Sequence, residues 1–375
     1  MQQRMLCATM ASLHVLASLF ALPDLVRADC ECGYSIVTSS DNKRYLFTDL
    51  LESDFIHLDI TDDVQSYGEY GWAPQEFNMS SEVARGPYGE SYTPQNVISN
   101  NIADPQVFAG PGSKGGDAGL NLVVKSEIRE GMVTSADVST TNSNYYHGTF
   151  RAGIKVTDIP GTCAAFFWYM NDTQEIDIEF LSSEFDKSNN TFPVNLVLQT
   201  QESKANGFDA SKTGDFRKIN LPFDPTAEFH EYRIDFLPDR VLFYADDELL
   251  TEMNGTGVPS TAGNLQVSHW SNGNTGWSQG PPKTDAITTI SYVKAYFNSS
   301  LESRLDDYKT RCKDPSAPLA VCAIPDNNAT FFFSDIDNMT PNQTTYHENG
   351  GRRRTAWWPS LFAAAFAAST SMVGL

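Results

Sequence analysis

Positive charge is what this 375-residue chain has least of: Lys and Arg number 26 against 47 Asp and Glu, for a formal net charge of −21. Such a surface repels phosphate backbones and anionic headgroups, so nucleic acid is excluded as a partner and neutral polymers are compatible. Histidine is scarce too, at six. No histidine pair stands near the cysteines, which argues against a zinc centre. Amphipathic helical patterns longer than a few turns are missing between Tyr34 and Phe297; the best one, 300–309, follows that body. There is no internal repeat.

At the N-terminus a basic start (Arg4), an apolar run from Met5 to Leu22 and small residues around Ala28 predict a cleaved secretory signal over 1–28. At the C-terminus Gly350-Gly351, then Arg352-Arg353-Arg354 and an uncharged tail from Trp357, form the pattern of a glycolipid-anchor propeptide over 350–375. A transmembrane helix there would place three arginines outside, against the positive-inside tendency. The expectation is therefore a secreted protein held at the cell surface or wall, attached to the outer leaflet by lipid.

Beyond the signal lie Cys30, Cys32, Cys163, Cys312 and Cys322. In a secreted chain disulfides are expected, and the four flanking the body suit bridges that tie the ends together, with connectivity left open. Cys163 opens an apolar run and reads as a buried thiol. Asn-x-Ser/Thr acceptors at Asn78, Asn171, Asn189, Asn254, Asn298, Asn328, Asn338 and Asn342 fit the same route and would mark surface positions.

The body reads as short strands separated by Gly, Pro, Asn, Asp and Ser, for example 120–125, 148–156, 231–236, 240–245 and 290–297. Many strands with close turns predict one all-β sandwich or jelly roll over 60–300. Around it we place a Cys-containing N-terminal segment at 29–59, a Cys-containing extension at 301–325 and a glycosylated linker at 326–349.

The stretch that carries chemistry is Glu175-Ile176-Asp177-Ile178-Glu179. Strict alternation puts three carboxylates on one strand face, with Ile176, Ile178 and Phe180 behind. Chance alone yields about 0.7 acid-x-acid-x-acid windows in such a chain, so the spacing needs its context to count. Three mutually repelling acids make a poor structural strand. They suit retaining glycoside cleavage, which uses one ionised carboxylate and one protonated carboxyl about 5–5.5 Å apart. Cα atoms at i and i+4 lie about 13 Å apart along a strand, so two glutamates must lean inward over a concave sheet. The middle Asp177 separates their protonation states.

This pentapeptide resembles the active-site strand of glycoside hydrolase family 16, in its form without a bulge residue. Residues 134–136 and 146–155 are similar to the strands that precede it, and 229–241 to a later hairpin. His269-Trp270-Ser271-Asn272-Gly273-Asn274 and Trp277-Ser278 resemble a cleft-lining segment of fungal members. One departure is Phe180-Leu181-Ser182-Ser183, where many members have a glycine soon after the last glutamate. The resemblance implies a concanavalin-like β-jelly-roll with a concave substrate-binding face. It also implies Glu175 as nucleophile, Asp177 as assisting acid and Glu179 as general acid/base. No cofactor is required and no metal ligands are assigned, although some members hold a structural calcium on the convex face. Trp270 and Trp277 are expected to stack on sugar rings. One of Trp168 and Tyr169, in the apolar stretch beside the acids, is expected to reach the cleft, with Trp168 taken as substrate-binding, and Phe166 and Phe167 are expected to lie in the core. His147 and His269 read as structural. The expected activity is internal cleavage of β-glucan (β-1,3 or mixed β-1,3/1,4) by a monomer. A wall β-glucan transglycosylase and a non-catalytic carbohydrate-binding glycoprotein are the alternatives.

Overall fold

A computed structural model describes residues 29–336 and Met339, apart from Asp59 and residues 61–63. The stretches 1–28 and 350–375, expected to be a secretory signal and an anchor propeptide, lie outside the described residues, as do Asn338, Asn342 and most of 337–349.

Alternation between apolar and polar residues builds two large sheets that pack face to face. One has the order Phe216–Asn220, Pro193–Gln199, Gln174–Leu181, Cys163–Asn171, Asn264–Trp270, Met132–Thr140, Gly89–Tyr92 and Phe77–Met79. The other runs Glu248–Asn254, Arg240–Ala245, His230–Phe236, Tyr145–Lys155, Ala286–Ser299, Gly119–Val124 and Val97–Asn100. Asp49–Asp54 pairs with the later part of Ala286–Ser299, and Gly119–Val124 with its beginning, so one long strand carries two partners along the same edge. This is the all-β jelly-roll sandwich that the turn spacing predicts.

Between the sheets Ile176, Ile178 and Phe180 are buried with Phe166, Leu196 and Leu198 against Phe150, Tyr232, Ile234 and Phe236. Phe180 meets Tyr232 edge-on at 4.7 Å between ring centres, within the range aromatic pairs prefer. The apolar half of the acidic strand is therefore spent on the core. Its carboxylates are forced onto the outer face.

The boundaries at both ends differ from the expectation. Asp49–Asp54 belongs to the main sheet, so 29–59 is no separate segment. The region read as a linker begins as packed structure, with Phe332 and Phe333 only 4% and 3% exposed. It lies across the outer face of the second sheet, where charges are buried. Phe333 N and Ser334 N donate to the Glu52 carboxylate at 3.1 and 2.9 Å, Arg151 Nη1 donates to Pro325 O at 2.7 Å, and Arg233 pairs with Asp326 at 3.0 Å. A buried charge without such partners would be costly, so these residues need the strap. Cys30–Cys322 and Cys32–Cys312 are disulfides, joining the chain ends as expected. The strand Tyr34–Val37 pairs with Cys322–Ala323 beside them. The helix Glu302–Arg311 lies close to the predicted 300–309. Among the acceptor asparagines, Asn78, Asn189, Asn254 and Asn328 are exposed, while Asn171 and Asn298 are half-buried.

Candidate active site

Register decides what surrounds the acids. On the outer face of the first sheet Glu175 lies between Tyr169 and Gln199, Asp177 between Phe167 and Val197, and Glu179 between Ala165 and Asn195. Beyond Ala165 the next strand contributes Ser268. Two small side chains beside Glu179 leave room above the sheet, and a cavity of about 150 Å³ forms there. Glu175, Asp177 and Glu179 line it together with Arg85, Phe167, Gln199 and Trp270.

Burial pushes all three carboxyls above their ordinary range, because the charged forms lose hydration. Local partners then separate them. Asp177 is raised further by the charges of Glu175 and Glu179 and by its hydrogen bond to Glu175, so it keeps a proton and donates it. Burial and then the charge of Glu179 raise Glu175 to about 8, and the same bond from Asp177 works against them, favouring its ionised form. Glu179 is held back toward its ionised form by donors: Trp277 Nε1 at 3.3 Å and Cys163 Sγ at 3.4 Å, both to Oε1. The arrangement sets a carboxyl donor, Asp177, beside Glu175, with a second, separately partnered carboxyl, Glu179, four residues beyond Glu175.

Two loops complete the walls. The short helix Ser81–Ala84 ends with Arg85 in the left-handed conformation (φ 60°), which sends the chain back and leaves the guanidinium over the acids. A Cβ on Gly86 would collide with the Asn272 backbone, so glycine is what lets this turn pack against the Trp277 loop. Asn272 joins the two: its Nδ2 donates to Ala84 O at 2.6 Å and to Glu90 Oε1 at 3.0 Å, while its Oδ1 accepts from Asn274 N at 2.9 Å and Ser278 Oγ at 3.0 Å. Beyond Glu179 the cleft widens into a space of about 470 Å³ whose lining includes Arg85, Phe208, Phe216, Trp270, Asn274 and Trp277. The Arg85 guanidinium stacks over the Phe208 ring at 4.8 Å.

Of the expected site residues, Glu175, Asp177, Glu179, Trp270 and Trp277 come together in the cleft. Trp168 does not. It pairs with Ile176, points into the core, is fully buried and donates its indole N–H to Tyr145 O at 2.9 Å. Its neighbours Tyr169, the other residue expected there, and Phe167, expected in the core, are on the cleft side, opposite Glu175 and Asp177. His269 is buried between Leu122 O and Thr162 Oγ1, as a structural histidine. Arg85, Phe208, Glu90 and the thiol of Cys163 at the acid were not foreseen. The quoted block containing Asn272 was the one signal pointing toward any of this wall. Among the described residues there is no cluster of three or more metal-binding side chains.

An acid-lined cleft on the outer face of a β-sandwich, walled by aromatics, defines the class. Residues 110–293 match the profile described as "Glycosyl hydrolases family 16", and the chain belongs to that family. It is 28% identical over 135 residues to a β-glucanase of Paenibacillus polymyxa, covering 35% of this chain and 50% of that protein. It is also 28% identical over 193 residues to putative xyloglucan endotransglucosylase/hydrolase protein 1 of Arabidopsis thaliana, covering 48% of this chain and 60% of that protein. The chain thus spans half to three-fifths of the length of these relatives. Among solved structures it is similar to endo-β-1,3-glucanase from Pyrococcus furiosus, with a TM-score of 0.49, 18% identity and coverage of 71% and 99% of the two chains. Arg85 and Glu90 lie outside the family match.

Proposed function

We propose that the protein is a retaining glycosidase that cleaves internal bonds of β-glucan, β-1,3 or mixed β-1,3/1,4, by double displacement. The observation that carries this is the geometry of the acids: Glu175, Asp177 and Glu179 line one cavity on the outer sheet face, and Glu179 is separately partnered by Trp277 and Cys163. Glu175, ionised, attacks the anomeric carbon as the glycosidic C–O bond breaks, and Glu179 gives its proton to the leaving oxygen. Glu179 then takes a proton from water, whose oxygen attacks the same carbon and frees Glu175. Trp270, Trp277 and Phe167 offer apolar faces to the sugar rings, and neither step calls on a cofactor. The named β-glucanases among its relatives support this substrate class. A protein carrying a secretory signal and a glycolipid anchor would act on polymer at the cell surface.

Glu175→Gln tests the reading. The variant keeps wild-type circular dichroism and loses about a thousandfold or more in release of reducing ends. Wild-type-like cleavage by the folded variant overturns it, and glucan binding by a wild-type protein that never cleaves supports a binding protein instead.

A second reading, transglycosylation, is favoured by the roomy aromatic space beside Glu179, which suits a sugar acceptor in place of water. A labelled oligosaccharide that grows longer in the presence of glucan supports transfer; shortened products alone support hydrolysis.

A further inference from the structure

Cys163 is fully buried and is the free cysteine among the described residues. It lies on the strand beside the acids, paired with Leu181 and Trp270, and faces the cleft side diagonally from Glu179. Its Sγ is 3.4 Å from Glu179 Oε1, and the indole Nε1 of Trp277 is 3.3 Å from that same oxygen. Toward a carboxylate oxygen both groups donate. An indole has no acceptor, and burial together with the charge of Glu179 holds the thiol well above its usual range, as S–H.

An oxygen that accepts two hydrogen bonds is not the one that carries the proton of the acid. We propose that Cys163 is a positioning residue for Glu179: with Trp277 it occupies Oε1, fixes the carboxyl rotamer and leaves Oε2 as the oxygen that passes the proton to and from substrate. This rests on the reading of Glu179 as general acid/base. The other charged groups facing Glu179 are Asp177 and Glu175 on its own strand and Arg85 from the wall; none of them donates to Oε1. The arrangement gives a cysteine hidden from solvent a task that packing alone does not require. A donor to the carboxylate also keeps Glu179 from being too weak an acid to lose its proton.

The test compares Cys163→Ala, which removes the donor, with Cys163→Ser, which keeps one. A single neutral hydrogen bond corresponds to roughly a fivefold effect. Cys163→Ala is therefore expected to lower kcat on β-glucan roughly fivefold and to move the basic limb of the kcat/KM profile up by roughly half to one pH unit, with Cys163→Ser close to wild type. An activity loss with the limb unmoved, or equal loss in both variants, is a packing effect and overturns the proposal. The infrared S–H stretch provides a readout independent of activity: it shifts to the free-thiol position in Glu179→Ala if the contact exists, and an unmoved band overturns it. Should wild-type protein release no sugar at all, the glycosidase reading fails, while the infrared result still decides the contact.

Discussion

Asn272 reaches the carboxylate of Glu90 at 3.0 Å from a position 182 residues further along the chain. With the Tyr92 hydroxyl donating to the other oxygen at 2.6 Å, it satisfies an acid that is 3% exposed and belongs to the cleft wall. Burial nonetheless raises Glu90 to about 7, and Asp137, whose Oδ1 has no hydrogen-bond partner, to about 8.

These shifts set a pH dependence of stability. An acid whose pKa is higher in the folded state contributes stability below its unfolded value and loses it as pH climbs through the folded one. Half-buried His147 and buried His269, lowered to about 4 by lost hydration, act in the opposite sense up to about pH 6.5 and partly offset the acids there. Between pH 6.5 and 8 the acids act without that offset. The melting temperature is expected to fall across this window, and Glu90→Gln, which keeps the Asn272 bond through its carbonyl, should flatten the first part of the fall. A melting temperature that rises from pH 6.5 to 8 contradicts this.

Asn272→Ala breaks the joint between the Arg85 turn and the Trp277 loop while leaving every acid in place. Unpaired buried groups at Glu90 and Ala84 cost about 1–3 kcal/mol. The expected result is that loss in urea unfolding, together with a KM for glucan raised about tenfold by the misplaced wall. An unchanged KM in the destabilised variant would mean that Arg85 and Trp277 hold their places without Asn272.

Phe333 packs on Tyr34 and Tyr296 at 4.9 and 5.8 Å between ring centres, in the stretch expected to be a linker. Phe333→Ala should cost about 3–5 kcal/mol, as for a core aromatic. A linker residue would shift stability by no more than about 0.5 kcal/mol, so denaturant unfolding separates the two. Turnover by the folded variant at low temperature should match wild type, since this face is the one remote from the acids.

Much of the site was legible because a period of two has only one interpretation when one face is ionic and the other apolar. Ile176, Ile178 and Phe180 could go nowhere but inward, and Glu175, Asp177 and Glu179 followed onto the outer face. The neighbouring strand Cys163–Asn171 is apolar on both faces, so alternation there carries no sign of which side is in; it leaves Trp168 and Tyr169 as alternatives for the cleft, of which Tyr169 faces it, and it puts Phe167 on the wrong side. The terminal strap was misread for a related reason. Its Asn, Asp and Pro suggest a solvated chain, and only the buried Glu52, Arg151 and Arg233 on the sheet beneath it explain why it is held.

By itself, then, the sequence determined the all-β class and the three acids on one strand face, since each depends on local pattern or composition. Tertiary structure alone decided what surrounds each acid: Asp177 between Glu175 and Glu179 in one cavity, and Trp277 with Cys163 on a single oxygen of Glu179. Protonation answers to distance and to burial, and both arise only when Arg85, Cys163, Glu179 and Trp277, scattered over nearly two hundred residues, are folded into one cleft.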